Sequence, residues 1–314
     1  NMATRSGTGI SALSLDDNEW VVTVWPGSSL VSDGYYPIED RVRVAPGPTQ
    51  IGFNRMPGSG TVRMEGTIAA DAEPASLRIG VEDPAHRAAW RLAGMLRERG
   101  VRVTGRAVAR HRPADATDDP VARGRLPPVR VPEPAVLARL MPGPLSADIR
   151  LTNKTSQNLH AELLLRRLGA IRGTGSVADG LAAVGGVLAE AGVAAGTVDL
   201  ADGSGMSTYN RVTPRATVRV LRWVAAQTWG TAWFGTLPVG GVDGTLARRF
   251  RGTALEGKVW AKTGSLNATA ALAGAMRSAS GRRLLFAAYA NDVPSGVSGS
   301  AALDAALLAV AAAN

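Results

Sequence analysis

Along residues 1–110 apolar and polar positions alternate in short bursts. Those at residues 20–25, 41–45, 50–53, 61–67 and 76–81 read as β-strands, separated by turn-forming strings such as PGSS, APGPT and MPGSG. One helix is predicted over residues 84–99. Its apolar positions Ala88, Ala89, Leu92 and Leu96, with Trp90 beside them, recur at helical spacing, and Gly100 ends it. Residues 101–108 return to strand-like alternation around Gly105. Residues 111–127, HRPADATDDPVARGRLP, show no periodicity and read as a surface loop.

From about residue 145 the pattern becomes helical. A helical turn or short helix is expected at 147–152 and a strong helix at 156–168, with Leu159, Leu163, Leu164 and Leu168 on its apolar side and Gly169 as its stop. A helix at 176–191 and a strand at 196–201 lead to the loop DGSGMSTYNRVTP. Thr213 followed by Pro214 is a cap and first-turn signal for a helix over 214–227. A strand over 258–261 runs into Lys-Thr-Gly. Strands at 269–276 and 284–289, joined by SASGRR, and a helix at 301–313 close the chain. Helical cluster, three antiparallel strands and closing helix together predict an α+β protein. Its division is expected near residue 145: residues 1–144 β-rich with one helix, and residues 145–314 a second domain.

Composition narrows the chemistry. The chain has 314 residues, 45% of them hydrophobic and 19% charged, which excludes a wholly disordered polypeptide. No apolar run is long enough for a membrane span. The first residues, NMATRSGTG, lack a basic segment leading into an apolar core, so any targeting segment is expected to have been removed or never present. Cysteine is absent, and His86, His111 and His160 do not lie at ligand spacing, so no metal or other cofactor is expected. Of 35 basic residues only Lys154, Lys258 and Lys262 are lysine; the rest are arginine. The net charge of +9 favours anionic partners in general. The arginines are dispersed and no helix-turn-helix or finger pattern occurs, so nucleic acid is not the expected partner.

Three strings can carry chemistry. Lys262-Thr263-Gly264, followed by Ser265, lies at a strand end. An edge strand there can accept an extended substrate. Lys262 supplies positive charge, the Thr263 and Ser265 hydroxyls can hold a carboxylate, Gly264 permits close approach, and the Ser265 N–H can face a developing oxyanion. The bland alternative is an exposed strand-end turn. Asn153-Lys154-Thr155-Ser156-Gln157-Asn158 stands at a helix start, where Thr155 or Ser156 can simply cap. Alternatively, Ser156 and Asn158 face a cleft and relay or orient protons, with Lys154 as local charge or a solvated side chain. The string Asp202 to Asn210 is either a turn-rich loop or a wall of that cleft. Its Gly-Ser-Gly lacks the nucleophile-elbow context, and no Ser-His-Asp set or phosphate loop can be built.

KTG at a strand end, combined with an upstream S-x-N on a helix, resembles the penicillin-recognising serine D,D-peptidases. NKTSQNLHAE (153–162), DGSGMS (202–207) continuing through Asn210 to Thr213-Pro214, and GKVWAKTGSLN (257–267) resemble the ordered motifs of the S13 peptidases. These are the low-molecular-mass class C D-alanyl-D-alanine carboxypeptidases. Ser11 to Ser14 weakly resemble a stretch these proteins carry further upstream. The resemblance spans most of the chain and is sharp from Asn153 onward. One departure is serious. The family places its nucleophile in S-x-x-K, and the residues three before Lys154, Lys258 and Lys262 are Leu151, Leu255 and Val259.

The resemblance implies a penicillin-recognising, transpeptidase-like domain, an antiparallel sheet with helices, in residues 145–314. Residues 1–144 would be the remainder of β-rich inserted domains. It implies serine-type hydrolysis of peptidoglycan stem peptides ending in D-Ala-D-Ala, outside the cytoplasm at the cell wall, with β-lactams as covalent inhibitors of the complete enzyme. Ser156, Asn158 and Lys262 would be catalytic; Thr263, Gly264 and Ser265 would bind substrate. The chain is then expected to be the C-terminal part of a longer protein and inactive alone. Its S-x-x-K segment would be cleaved off, disordered, carried on another chain or absent from the gene product. The alternative is a non-catalytic wall-binding or scaffold protein of the same fold.

Overall fold

A computed structural model describes residues 4–27, 29–128 and 135–314. The first three residues of the N-terminal string lie outside them. The chain gathers into two compact units, residues 1–113 and 114–314.

The first unit contains β1 (Glu19–Trp25), β2 (Ser29–Val31), β3 (Ile38–Val44), β4 (Gln50–Asn54), β5 (Val62–Ile68), β6 (Ala75–Gly80) and α1 (Pro84–Glu98). One antiparallel sheet runs β2-β1-β6; the other runs β3-β5-β4, with β3 and β5 parallel. Alternation decides the faces. Trp20, Val22 and Val24 of β1 are fully buried and join Val62, Met64, Ile68 and Ile79 in one core, while Val21 and Trp25 face out. The Trp20 indole is admitted to that core because its N–H donates to Asp33 Oδ1 at 2.6 Å. Residues 101–108 alternate as expected but pair with no strand among the described residues. Alternation describes what faces what; a strand also needs a neighbour for its backbone.

The second unit contains α2 (Pro120–Arg123), α3 (Leu145–Thr155), α4 (Asn158–Arg172), α5 (Val177–Glu190), β7 (Val198–Asp199), β8 (Arg211–Val212), α6 (Pro214–Ala225), α7 (Gly230–Phe234), β9 (Val259–Leu266), β10 (Thr269–Arg277), β11 (Arg283–Ala290) and α8 (Gly299–Ala313). The β11-β10-β9 sheet is antiparallel throughout and helices cover both faces. Val259, Ala261, Leu272 and Phe286 pack against Leu303, Leu307 and Ala311, which recur every fourth position on α8. On the opposite face Ala275 and the partly buried Trp260 and Ala273 meet Leu221 and Val224 of α6 and Phe234 of α7. The predicted order of helical cluster, three strands and closing helix is observed.

Three expectations change. Residues 114–128 are more than a surface loop and group with the second unit, so the division falls at 113/114 rather than 144/145. Arg123 is buried and donates to both Asp179 oxygens, at 2.5 and 3.2 Å, anchoring α2 to α5. Arg123 holds the Asp179 carboxyl down to about 2, with help from Thr174 and Ser176 against the opposing effect of burial. Gly173 has no room for a side chain, since a Cβ would stand 2.2 Å from the Asp179 carboxyl carbon. The helix expected from 156 starts instead at Asn158 as α4, and the short helix expected at 147–152 is the longer α3, the two joined at Ser156-Gln157. The buried positions of α4 are Leu159, Leu165 and Gly169, whereas Leu168 is exposed. Finally, the strand expected over 196–201 contracts to Val198–Asp199.

Candidate active site

The site begins with the joint between α3 and α4. Ser156 takes a left-handed conformation, φ 57° and ψ 54°, which is uncommon for a residue with a Cβ. Neither Ser156 nor Thr155 is the cap of α4. The cap position is Gln157, which is buried, and the Thr155 hydroxyl donates back to the Leu151 carbonyl at 3.0 Å. The Ser156 hydroxyl is thereby left for a tertiary partner. Asp148 and His160 pair at 2.5 Å, linking the first turns of α3 and α4 across the joint.

Further contacts fix α3 from its other side. Lys154 Nζ donates to both Asp243 oxygens at 2.6 Å, and Asp243 Oδ1 also accepts from the Val239 N–H at 2.9 Å. Asn153 Nδ2 donates to Thr236 Oγ1 at 2.8 Å. Lys154 is therefore a bound structural cation rather than a solvated one. Both contacts lead to the segment beside β9. The Gly240 N–H donates to the Val259 carbonyl and the Ala261 N–H to the Pro238 carbonyl, covering the start of the strand's outer edge.

Beyond Ala261 that edge is open among the described residues. In an antiparallel ladder, backbone groups point alternately to the two neighbours. Ala261 points outward, so Thr263 and Ser265 also present their N–H and C=O groups to the open edge. Side chains alternate on the other axis: Lys262 and Gly264 share the face of Trp260, and Thr263 shares the face of Ala261. The Thr263 hydroxyl donates to Thr245 Oγ1 at 2.8 Å.

Lys262 joins the two motifs. Its Nζ donates to Ser156 Oγ at 2.8 Å and to the Thr263 carbonyl at 2.7 Å. Burial pushes its ammonium down to about 8, because little solvent remains to stabilise the charge and no carboxylate replaces it. The positive charge expected of Lys262 is thus one that titrates just above neutrality. Asn158 occupies the first turn of α4, one residue beyond the cap. Its amide makes no hydrogen bond among the described residues, so it is near Ser156 in the chain without being joined to Lys262.

The third motif is tied to the same helix. Glu162 Oε1 accepts from the backbone N–H groups of Gly203 and Ser204 at 3.0 and 2.8 Å. Asp202 accepts from the Gly205 and Ser207 N–H groups and from Asn210 Nδ2, and Asn210 Oδ1 accepts from the Ala201 N–H. Gly203 permits this approach: a Cβ there would lie 2.7 Å from the Ala161 carbonyl and 2.9 Å from Leu165 Cβ. The Ser204 hydroxyl belongs to the turn, accepting weakly from the Met206 N–H at 3.4 Å. Sequence reasoning grouped Glu162 with the motif but gave it no role; its partners are forty residues away, beyond any local signal.

Comparisons with known proteins identify the family. Residues 8–312 match the D-Ala-D-Ala carboxypeptidase 3 (S13) family. The chain is 33% identical over 251 residues to the D-alanyl-D-alanine carboxypeptidase of Actinomadura sp. (strain R39), covering 77% of this chain and 44% of that protein. It is 29% identical over 238 residues to the D-alanyl-D-alanine carboxypeptidase DacB of Haemophilus influenzae, covering 74% and 46%. The chain thus spans about half the length of these curated relatives. The crystal structure of penicillin binding protein 4 (dacB) from Haemophilus influenzae superposes with a TM-score of 0.73 at 25% identity, covering 95% of this chain and 65% of that one. The architecture is accordingly that of the penicillin-recognising, transpeptidase-like fold. With three ordered motifs brought to one helix joint and one strand edge, and a family match over nearly its whole length, the chain belongs to the S13 family of D-Ala-D-Ala carboxypeptidases.

Proposed function

We propose that the protein supplies the S-x-N and KTG sides of a serine D-alanyl-D-alanine carboxypeptidase or endopeptidase site acting on peptidoglycan stem peptides. The family is one of hydrolases of the cell wall, and the protein is placed with it outside the cytoplasm. The observation that carries the proposal is the 2.8 Å contact between Lys262 Nζ and Ser156 Oγ, which links the two motifs across 106 positions.

The attacking serine and its partner lysine come from an S-x-x-K segment that this chain does not contain. The serine oxygen attacks the penultimate D-Ala carbonyl while that lysine takes its proton. Lys262 donates to Ser156 Oγ, which leaves the Ser156 hydroxyl hydrogen free to pass to the departing amine, while Ser156 recovers a proton from the lysine that deprotonated the nucleophile. The C–N bond breaks, terminal D-Ala leaves, and water hydrolyses the acyl-enzyme. Asn158 orients the nucleophile's lysine and the substrate amide. Lys262, Thr263 and Ser265 hold the terminal carboxylate, Gly264 keeps the strand face low, and the outward Ser265 N–H supplies half of the oxyanion hole. β-Lactams acylate the same serine.

Intact-mass analysis of the full natural gene product after exposure to a β-lactam tests this reading. The expected result is one covalent adduct, lost on substitution of the S-x-x-K serine. The 314-residue chain alone is expected to remain unmodified. A stable adduct on Ser156 or Ser204 overturns the role assignments. A folded full-length product that contains the motif and forms no adduct favours a non-catalytic wall-binding or scaffold protein.

A further inference from the structure

One short stretch of the chain is densely basic. Residues 91–112 contain seven arginines and a single acidic residue, Glu98, a net +6 in 22 residues. It comprises the second half of α1 and the arm that follows it, all within the first unit.

The arm orders these charges. Val103, Ala107 and Ala109 are partly covered, whereas Arg102, Arg106 and Arg110 are exposed. Three exposed arginines thus recur at every fourth position, with a bend at Gly105 between the first two. Four residues of chain span at most about 13 Å between neighbours. None of the three guanidinium groups has a hydrogen bond or ion pair among the described residues. Arginines on the sheets of the same unit behave differently: Arg41 and Arg63 pair with Glu39, and Arg78 with Glu19. The arm borders a cleft of about 320 Å³ walled by His86, Trp90, Arg97 and Arg106, so Arg106 stands at the cleft itself.

We propose that this arm and cleft form a docking surface for a linear cell-wall glycopolymer carrying phosphodiester groups. Free guanidinium forks match phosphate oxygens, and a row of them matches charges recurring along a polymer. The Trp90 ring in the cleft wall offers a face to a saccharide ring. Leu92, Met95, Val101 and Val108 are also exposed in this stretch, so a lipid surface is the competing occupant that the test below must exclude. The surface belongs to the first unit and the Ser156–Lys262 pair to the second, and the proposal does not depend on the catalytic reading.

The test is binding of the full chain to a poly(ribitol phosphate) teichoic acid, by calorimetry at several salt concentrations. Neutral dextran and phosphatidylglycerol vesicles are measured in parallel. The variant R102S/R106S/R110S is compared with R215S/R248S/R282S, which removes the same charge from exposed positions elsewhere. Both are checked for unchanged melting. Expected is binding to teichoic acid and not to dextran, weakened at least about tenfold in the arm variant, with a salt dependence shallower by about two. In the control variant the weakening is expected to stay below about threefold. Equal loss in the two variants, preference for vesicles, or no binding to teichoic acid overturns the proposal.

Discussion

Lys262 Nζ stands 2.8 Å from Ser156 Oγ, and Ser156 reaches it from a left-handed turn between two helices. The contact sets a strained backbone residue against a partly desolvated ammonium. Neither feature is favourable by itself, and both are held by the packing of α3 against the segment beside β9.

The low proton affinity of Lys262 is directly measurable. Reductive ¹³C-methylation labels three lysines, and the Lys262 signal, assigned by its loss in Lys262→Arg, is expected to titrate near 8. The folded protein then binds fewer protons than the unfolded chain between about 8 and about 10.4, so stability rises with pH across that window and does not in Lys262→Met. In the complete enzyme the charged form is the one that holds a carboxylate, so kcat/KM falls as pH rises through about 8. A midpoint near 10 would sink both expectations.

Two substitutions at Ser156 separate hydroxyl from backbone. Ser156→Ala loses the Lys262 contact and keeps the left-handed turn, and is expected to cost about 1 kcal/mol in chemical denaturation. Ser156→Gly loses the same hydroxyl but removes a backbone penalty of about 1 kcal/mol, so its stability should stay near that of the parent chain. β-Lactam acylation of the full-length product should fall at least about tenfold in both. Restored acylation in the glycine variant would argue against any role for the hydroxyl.

Glu162 couples α4 to the loop from Asp202 to Asn210. Glu162→Ala is expected to raise hydrogen exchange at the Gly203 and Ser204 amides before exchange increases elsewhere, because those two N–H groups lose their common acceptor. Glu162→Gln retains one carbonyl oxygen and should restore much of the protection. Uniform exchange across α4 and the loop in the alanine variant would instead indicate general unfolding.

Asp179 anchors α2 through Arg123. Asp179→Asn leaves a buried guanidinium without its counter-charge and should lower Tm by on the order of 5–10 °C. Replacing both residues, Arg123→Met with Asp179→Leu, should recover most of that loss. The Asp179 carboxyl lies below its unfolded value, so its contribution is complete above about 3.9 and disappears as pH falls through about 2. Melting curves of the parent and Asp179→Asn proteins should converge in that acidic range.

Local patterns made much of the fold legible. The alternation of β1, the Thr213-Pro214 start of α6 and the β9 to α8 order follow from short-range preferences, and the structure repeats them. The motifs were legible too, because Lys262, Ser156 and Glu162 sit in strings specific enough to suggest their family. What failed at this level was nonlocal. Residues 101–108 have a strand's alternation without a partner, and residues 111–127 look like a loop although Arg123 is buried against Asp179. The break at Ser156 was read as a helix start, since a polar residue before an apolar run signals either a cap or a joint.

The sequence by itself determined which residue types stand at which spacing, and so the elements and the three motifs. Tertiary structure alone decided that Ser156 meets Lys262, that Lys154 is bound by Asp243, and that the Thr263 and Ser265 backbone groups face an open edge. The physical reason is range. Caps, turns and alternation depend on neighbours a few residues away, whereas desolvation of one ammonium depends on every segment that packs around it.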